Sequence, residues 1–213
     1  MRRFLLVVVL LVGLLAIADR AASFAAERVV AERIQTDEQL GVRPDVNIAG
    51  FPFLTQMFNG RYDHVDVAVH DMQRGSLHIS QAVAHLYDVR LPFSDVVHQH
   101  VDRIVVSHAT AEIDLDYADV NKSLASKHLK LSRGSDGRVH VTAGGSAAGI
   151  AVHVDGDFPL TVEGSALVIA LPGGLNAQIP LPGMPFGITL VSARAESDGI
   201  VVKCSTSAFV LRP

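Results

Sequence analysis

After Pro44 the apolar residues recur with a period of two, and this rhythm most constrains what the chain can fold into. Val65, Val67 and Val69 alternate with His64, Asp66, Ala68 and His70. Val83, His85, Tyr87, Val89 and Leu91 form another run, closed by Pro92. In an extended strand successive side chains point to opposite faces, so this alternation predicts half-buried strands. Val46 and Ile48 begin the series, and 103–115, 138–143, 149–171 and 186–204 continue it. Hairpin turns are expected at Ser135-Asp136-Gly137, Asp155-Gly156-Asp157 and Ser197-Asp198-Gly199, where Asp and Gly supply turn backbone conformations.

Helical spacing is confined to few places. Residues 19–40, "DRAASFAAERVVAERIQTDEQL", lack Gly and Pro, and Ala22, Ala26, Val29, Val30, Arg33 and Ile34 trace one side. Asp19 has the chemistry of an N-cap, and Gly41 and Pro44 are expected to stop the helix. A short helix is expected after Asp116, and another after Pro92. One long helix, seven to ten antiparallel strands and one or two short helices make an α+β class. No linker breaks 19–213, which is read as a single domain.

The N-terminus carries a second constraint. Arg2 and Arg3 precede residues 4–18, "FLLVVVLLVGLLAIA", which hold no charged or strongly polar group. Ala16-Ile17-Ala18 has the small-x-small form of a signal peptidase site. A membrane span needs about 20 apolar residues, so a signal peptide and an N-terminal anchor both fit segment 1–18. Either sends residues 19–213 across a membrane.

Several function classes lose support. Net charge is −4 and no polybasic run occurs, which argues against a nucleic-acid partner. Cys204 is the sole cysteine, so no disulfide forms within the chain, and it shares a strand face with Val202 as a buried, inert thiol. His98 and His100 suit one metal ion only if they lie on a strand, and no third ligand stands near them in sequence; the ten histidines read as scattered surface groups, with no metal expected. "GGSAAG" (144–149) lacks a nucleophile-elbow context and reads as a hairpin loop, and no phosphate-cradling glycine motif is present. No catalytic residue and no cofactor are expected.

What remains is apolar surface in proline-bounded segments. Phe51, Phe53, Leu54, Met57 and Phe58 form one cluster; Pro180, Leu181, Pro182, Met184, Pro185 and Phe186 form a second. Such residues either close the ends of a sheet core or line a lipid-binding surface, since Phe and Met adapt to mobile acyl chains. Ile48, Phe51, Phe53, Leu54, Met57, Phe58, Met184 and Phe186 are the lipid-contacting candidates. Arg61, with Arg43 and Arg90, is the candidate for a lipid phosphate.

The stretch from Val46 to Tyr62, with Gly50-Phe51-Pro52-Phe53-Leu54 and Gly60-Arg61-Tyr62, resembles the G-F-P-F-L…G-x-Y hallmark of the LmeA-like proteins of actinobacterial envelopes. "IDLDYADVNKSL" and the closing "MPFGITLVSARAESDGIVVKCSTSAFVL" extend the resemblance over about residues 25–212. The resemblance implies a tubular lipid-binding fold of the bactericidal/permeability-increasing type: a long helix wrapped by a strongly curved antiparallel sheet with an apolar groove. It also implies phospholipid binding, phosphatidylinositol among the ligands, and a part in maturing mannan-bearing lipoglycans. Phospholipid, the membrane surface and envelope glycosyltransferases are the partners this reading brings. Two rival readings are a scaffold for a membrane glycosyltransferase that binds no lipid, and a lipid or glycan hydrolase using His98 and His100.

Overall fold

The computed structural model describes residues 1–74, 77–97, 103–147, 150–181 and 189–211. The long helix and mostly antiparallel strands expected from the alternation are both present. Helix α1 spans Arg2–Asp37 without a break, so the apolar run and the amphipathic stretch are one rod. At 1.5 Å per residue it is about 54 Å long. Asp19 therefore lies inside the helix and does not cap its start; Met1 occupies the N-cap position. The helix ends through Gln39 in the left-handed region (φ 53), with the Leu40 N–H donating to the Gln35 carbonyl at 2.9 Å, before Gly41 is reached. Ion pairs Arg28–Glu32 and Arg33–Asp37, both at 3.0 Å, follow the one-turn spacing of an exposed helix face.

Strand β1 (Asp45–Ala49) is followed by helix α2 (Phe53–Asn59), then by β2 (Arg61–Arg74) and β3 (Leu77–Arg90). Helix α3 (Phe93–Val97) precedes β4 (Ile104–Asp116) and α4 (Tyr117–Leu124). Strands β5 (Leu129–Arg133), β6 (Val139–Ala147), β7 (Ile150–Phe158), β8 (Leu160–Glu163), β9 (Ala166–Leu171) and β10 (Leu175–Pro180) follow. Strands β11 (Thr189–Ala195) and β12 (Gly199–Leu211) close the order. The six-stranded sheet runs β1-β2-β3-β4-β12-β11, and two three-stranded sheets run β5-β6-β7 and β10-β9-β8.

Twelve strands occur among the described residues, more than the seven to ten expected. The excess comes from β5 and β10, which lie outside the expected strand segments, and from 149–171, which breaks at Pro159 and Gly164 into β7, β8 and β9. Asp155-Gly156-Asp157 is no turn: it lies within β7, with Gly156 opposite Val141 of β6. "GGSAAG" likewise supplies β6 as far as Ala147, while 148–149 lie outside the described residues. Ser135-Asp136-Gly137 is a turn as expected, with Asp136 and Gly137 at positive φ.

The chain divides into two compact units. The first comprises 1–68, 85–109 and 207–213, and its core is Ile48, Phe53, Tyr62, Val89, Val106 and Ala109. The second comprises 69–84 and 110–206, with a larger core in which Val120, Val139, Val141, Leu167, Ile169, Ile200 and Val202 are fully enclosed. In that unit the Asn121 side chain bonds both the carbonyl (2.8 Å) and the N–H (2.7 Å) of Leu131, tying α4 to β5 as a neighbouring strand would. Cys204 is buried beside Val202 as expected, and desolvation pushes its thiol up to about 11, so it is protonated at neutral pH.

Candidate functional site

The Gly50–Tyr62 segment is built as a plug held by α1. Gly50 sits at φ 110, the Phe51–Pro52 peptide is cis, and the chain then enters α2. Phe53, only 1% exposed, turns into the core and meets Tyr62 with ring centroids 6.2 Å apart. Gly60 ends α2 in the left-handed region (φ 62), where glycine carries no Cβ penalty. A Cβ there would lie 2.8 Å from Pro92 Cα, so the Gly60 backbone also needs the close approach. The hallmark residues thus meet each other: Phe53 and Tyr62 pack together, and the two glycines turn the chain so that they can.

The helix start of α2 is capped from a distance. With Pro52 at its N-cap position, α2 has no side-chain cap of its own. The buried Asp19 of α1 takes that role, accepting from the Phe53 N–H (3.0 Å) and the Leu54 N–H (2.8 Å). Free N–H groups and the helix dipole both favour a carboxylate at this end. Arg20 pairs with Asp19 at 2.8 Å, donates to the Gly50 carbonyl at 3.0 Å, and lies 5.3 Å from the Phe51 ring centre. Further along α1, Glu27 accepts from the Ile48 N–H at 3.0 Å. Gln56 clamps the loop by bonding the Ala49 carbonyl and the Asp63 N–H.

This arrangement sorts the candidate residues. Ile48 and Phe53 are buried in the first unit's core, and Leu54 and Met57 are half-buried against it. Phe51 and Phe58 are left outside, 67% and 65% exposed, with Phe58 resting edge-on against Phe93. Met184 and Phe186 lie outside the described residues, as do His98 and His100. Arg61 and Arg90 are both paired with Asp88, at 2.7 and 3.0 Å, and Arg43 stands 3.8 Å from Glu32. A lipid phosphate meeting Arg61 therefore competes with a carboxylate. Bonds from Ser107, Arg90 and Arg61 hold Asp88 down at about 2, well below the usual carboxylate range.

The surface next to the plug is apolar. The large apolar side chains of the 4–17 run are exposed, Leu10 at 73% and Ile17 at 69%, and beyond Arg20 the helix exposes Phe24 at 70%. Ala16, Ile17, Arg20, Ala21 and Phe24 line an open, apolar hollow of about 470 Å³. A pocket of about 280 Å³ in the second unit, beside Ser80, Asp114, Asp116 and Glu196, is carboxylate-rich. Neither is a closed acyl-chain channel. Helix α1 is long and apolar enough to cross a membrane by length and composition, which suits a signal sequence or an anchor equally.

An apolar helix runs without interruption into the antiparallel α+β fold, and the rings of Phe24 and Phe51 are exposed near its Asp19. Residues 17–205 match the family model of LmeA-like phospholipid-binding proteins, and the chain belongs to that family. The family is a phospholipid-binding one, so phospholipid is the ligand class it brings. No curated protein and no solved structure matches the chain.

Proposed function

We propose that this protein is a phospholipid-binding protein of the cell envelope, held at the periplasmic face of the cytoplasmic membrane by its apolar helix, with Phe51 and Phe58 as a lip that enters the bilayer. The observation that carries this reading is the pair of bonds from Phe53 and Leu54 to Asp19. They fix the lip one residue beyond the uncharged run 4–18, so a helix that lies in lipid brings the lip to the membrane surface.

Lengths agree with that placement. Residues 4–18 extend only about 22 Å as helix, short of a hydrocarbon core of about 30 Å. Extending the apolar face to Phe24 brings it to about 31 Å. The only charges in between, Asp19 and Arg20, neutralise each other, and Arg20 lies against Phe51. Burying an exposed Phe ring in hydrocarbon contributes about 2 kcal/mol, enough for two rings to orient a domain that is already tethered.

In this reading phospholipid is drawn past the lip to the body of the protein, whose acyl-chain groove under a curved sheet is what the family resemblance implies. Support of mannan-bearing lipoglycan maturation, with envelope glycosyltransferases as partners, is the cellular role proposed with it. Native mass spectrometry of the full chain, extracted from its host's membranes in mild detergent, tests the ligand. A retained phospholipid is the expected result; a chain that carries none after extraction, and takes up none from mixed micelles, contradicts it.

A further inference from the structure

We propose that His64, Asp66 and His85 form a binding site for one divalent transition-metal ion, with zinc the ion that best matches their donor set. Positions 64 and 66 are two apart on β2, so their side chains share one face of the sheet. His85 reaches the same place from β3. The Asp66 Oδ1 atom lies 2.5 Å from His64 Nε2 and 2.6 Å from His85 Nδ1. On β1, Asn47 stands directly opposite Asp66 in register and donates from Nδ2 to Asp66 Oδ2 at 3.1 Å. His64 is further fixed by the Tyr87 ring, edge-on at 4.6 Å.

Other histidines show why this cluster is different. His78 meets Asp119 through Nδ1 and Asp71 through Nε2. His140 meets Asp157 through Nδ1 and Asp155 through Nε2. In both, carboxylates sit at opposite edges of one ring, so their oxygens cannot share an ion with it. Around Asp66 the geometry is reversed: two rings converge on a single carboxylate. Among the described residues this is the one group in which three His, Cys, Asp or Glu ligand atoms lie mutually close, all within 4.8 Å.

Two imidazoles and a carboxylate are a recurrent zinc donor set that leaves a fourth position open. Tetrahedral ligands about 2.0–2.1 Å from zinc stand about 3.4 Å apart, so Asp66 Oδ1 must draw back from both ring nitrogens to admit the ion. Each ring then carries its proton on the nitrogen that faces away from the metal. The side chains of His64, Asp66 and His85 are 27%, 30% and 39% exposed, which leaves the fourth position facing solvent. Asn47 acts as a positioning residue, holding the carboxylate through its second oxygen. A bound ion would clamp β2 to β3.

The test is a calorimetric titration of the full chain in detergent micelles, stripped with chelator, with zinc chloride, repeated with Co²⁺ as a spectroscopic probe. One ion per chain is expected, with the intense visible absorption of four-coordinate Co²⁺. His64→Ala and His85→Ala should each weaken binding at least about tenfold, and the exposed Asn47→Ala by about tenfold with the fold intact by circular dichroism. His140→Ala should bind as the parent does. A parent chain that takes up no zinc below about 1 mM, or a folded His64→Ala/His85→Ala chain that binds as tightly as the parent, overturns the proposal.

Discussion

Asp19 Oδ1 lies 2.8 Å from the amide nitrogen of Leu54, a bond that spans thirty-five positions of sequence and joins the middle of α1 to the first turn of α2. Replacing Asp19 with Ala removes the acceptor for both the Phe53 and Leu54 N–H groups while giving α1 its best helix former. The expected outcome is loss of hydrogen-exchange protection at these two amides and a thermal midpoint a few degrees lower, with α1 still helical by circular dichroism. Unchanged protection at 53 and 54 would show that α2 is held by something else.

Phe53 and Phe58 look alike in the sequence and are opposites in the fold. Phe53→Ala empties a fully enclosed site beside Tyr62 and should cost about 3–5 kcal/mol in chemical unfolding. Phe58→Ser, on a ring 65% exposed, should cost less than about 1 kcal/mol and instead lower the affinity for vesicles. For the same reason Phe53→Asp is no test of membrane contact: it buries a charge in the first unit's core.

Asp88 gives a pH dependence of known sign. Ser107, Arg90 and Arg61 hold its folded carboxyl at about 2, below its unfolded value of about 4. The resulting stabilisation is present above about pH 4 and is lost as the pH falls toward 2. Asp88→Asn should therefore lower the urea midpoint at pH 6 and flatten its decline between about pH 4 and 2. Asn tolerates the positive φ of 50 at this position, so the change is electrostatic. Freed from Asp88, Arg61 and Arg90 should also bind anionic vesicles more tightly, with the gain abolished by salt.

Period-two alternation made most of the sheet legible, because a half-buried strand writes its two faces into neighbouring residues. Val202 and Cys204 share one buried face, as that rule alone requires. It failed at Gly156, where an Asp-Gly-Asp triplet has the composition of a turn yet pairs in the β6–β7 ladder; ladder hydrogen bonds are made by backbone, and the partner strand decided. The break expected at Asp19 failed for a related reason. An Asp after an apolar run looks like a cap, and so it is, but for a helix whose start lies thirty-four residues later. The candidate lip was visible as a cluster, whereas which of its rings face inward depends on Gly50, the α1 contacts and Tyr62 together. His64 and His85 were read only as strand residues among scattered surface histidines; their meeting at Asp66 needed the pairing of two strands.

The chain contains no tryptophan, so Phe51→Trp introduces a single fluorescent reporter at the proposed lip. The decisive measurement is quenching of that reporter by phospholipids brominated along their acyl chains, with the full chain reconstituted in vesicles and Val42→Trp, at an exposed position of the same unit beyond the Asp37 end of α1, as the reference. The account predicts that the indole of the Phe51→Trp chain emits blue-shifted light and is strongly quenched by bromines near the headgroups, while that of the Val42→Trp chain is not quenched. A lip indole that emits as a water-exposed group and ignores the brominated lipid would contradict a lip that enters the membrane.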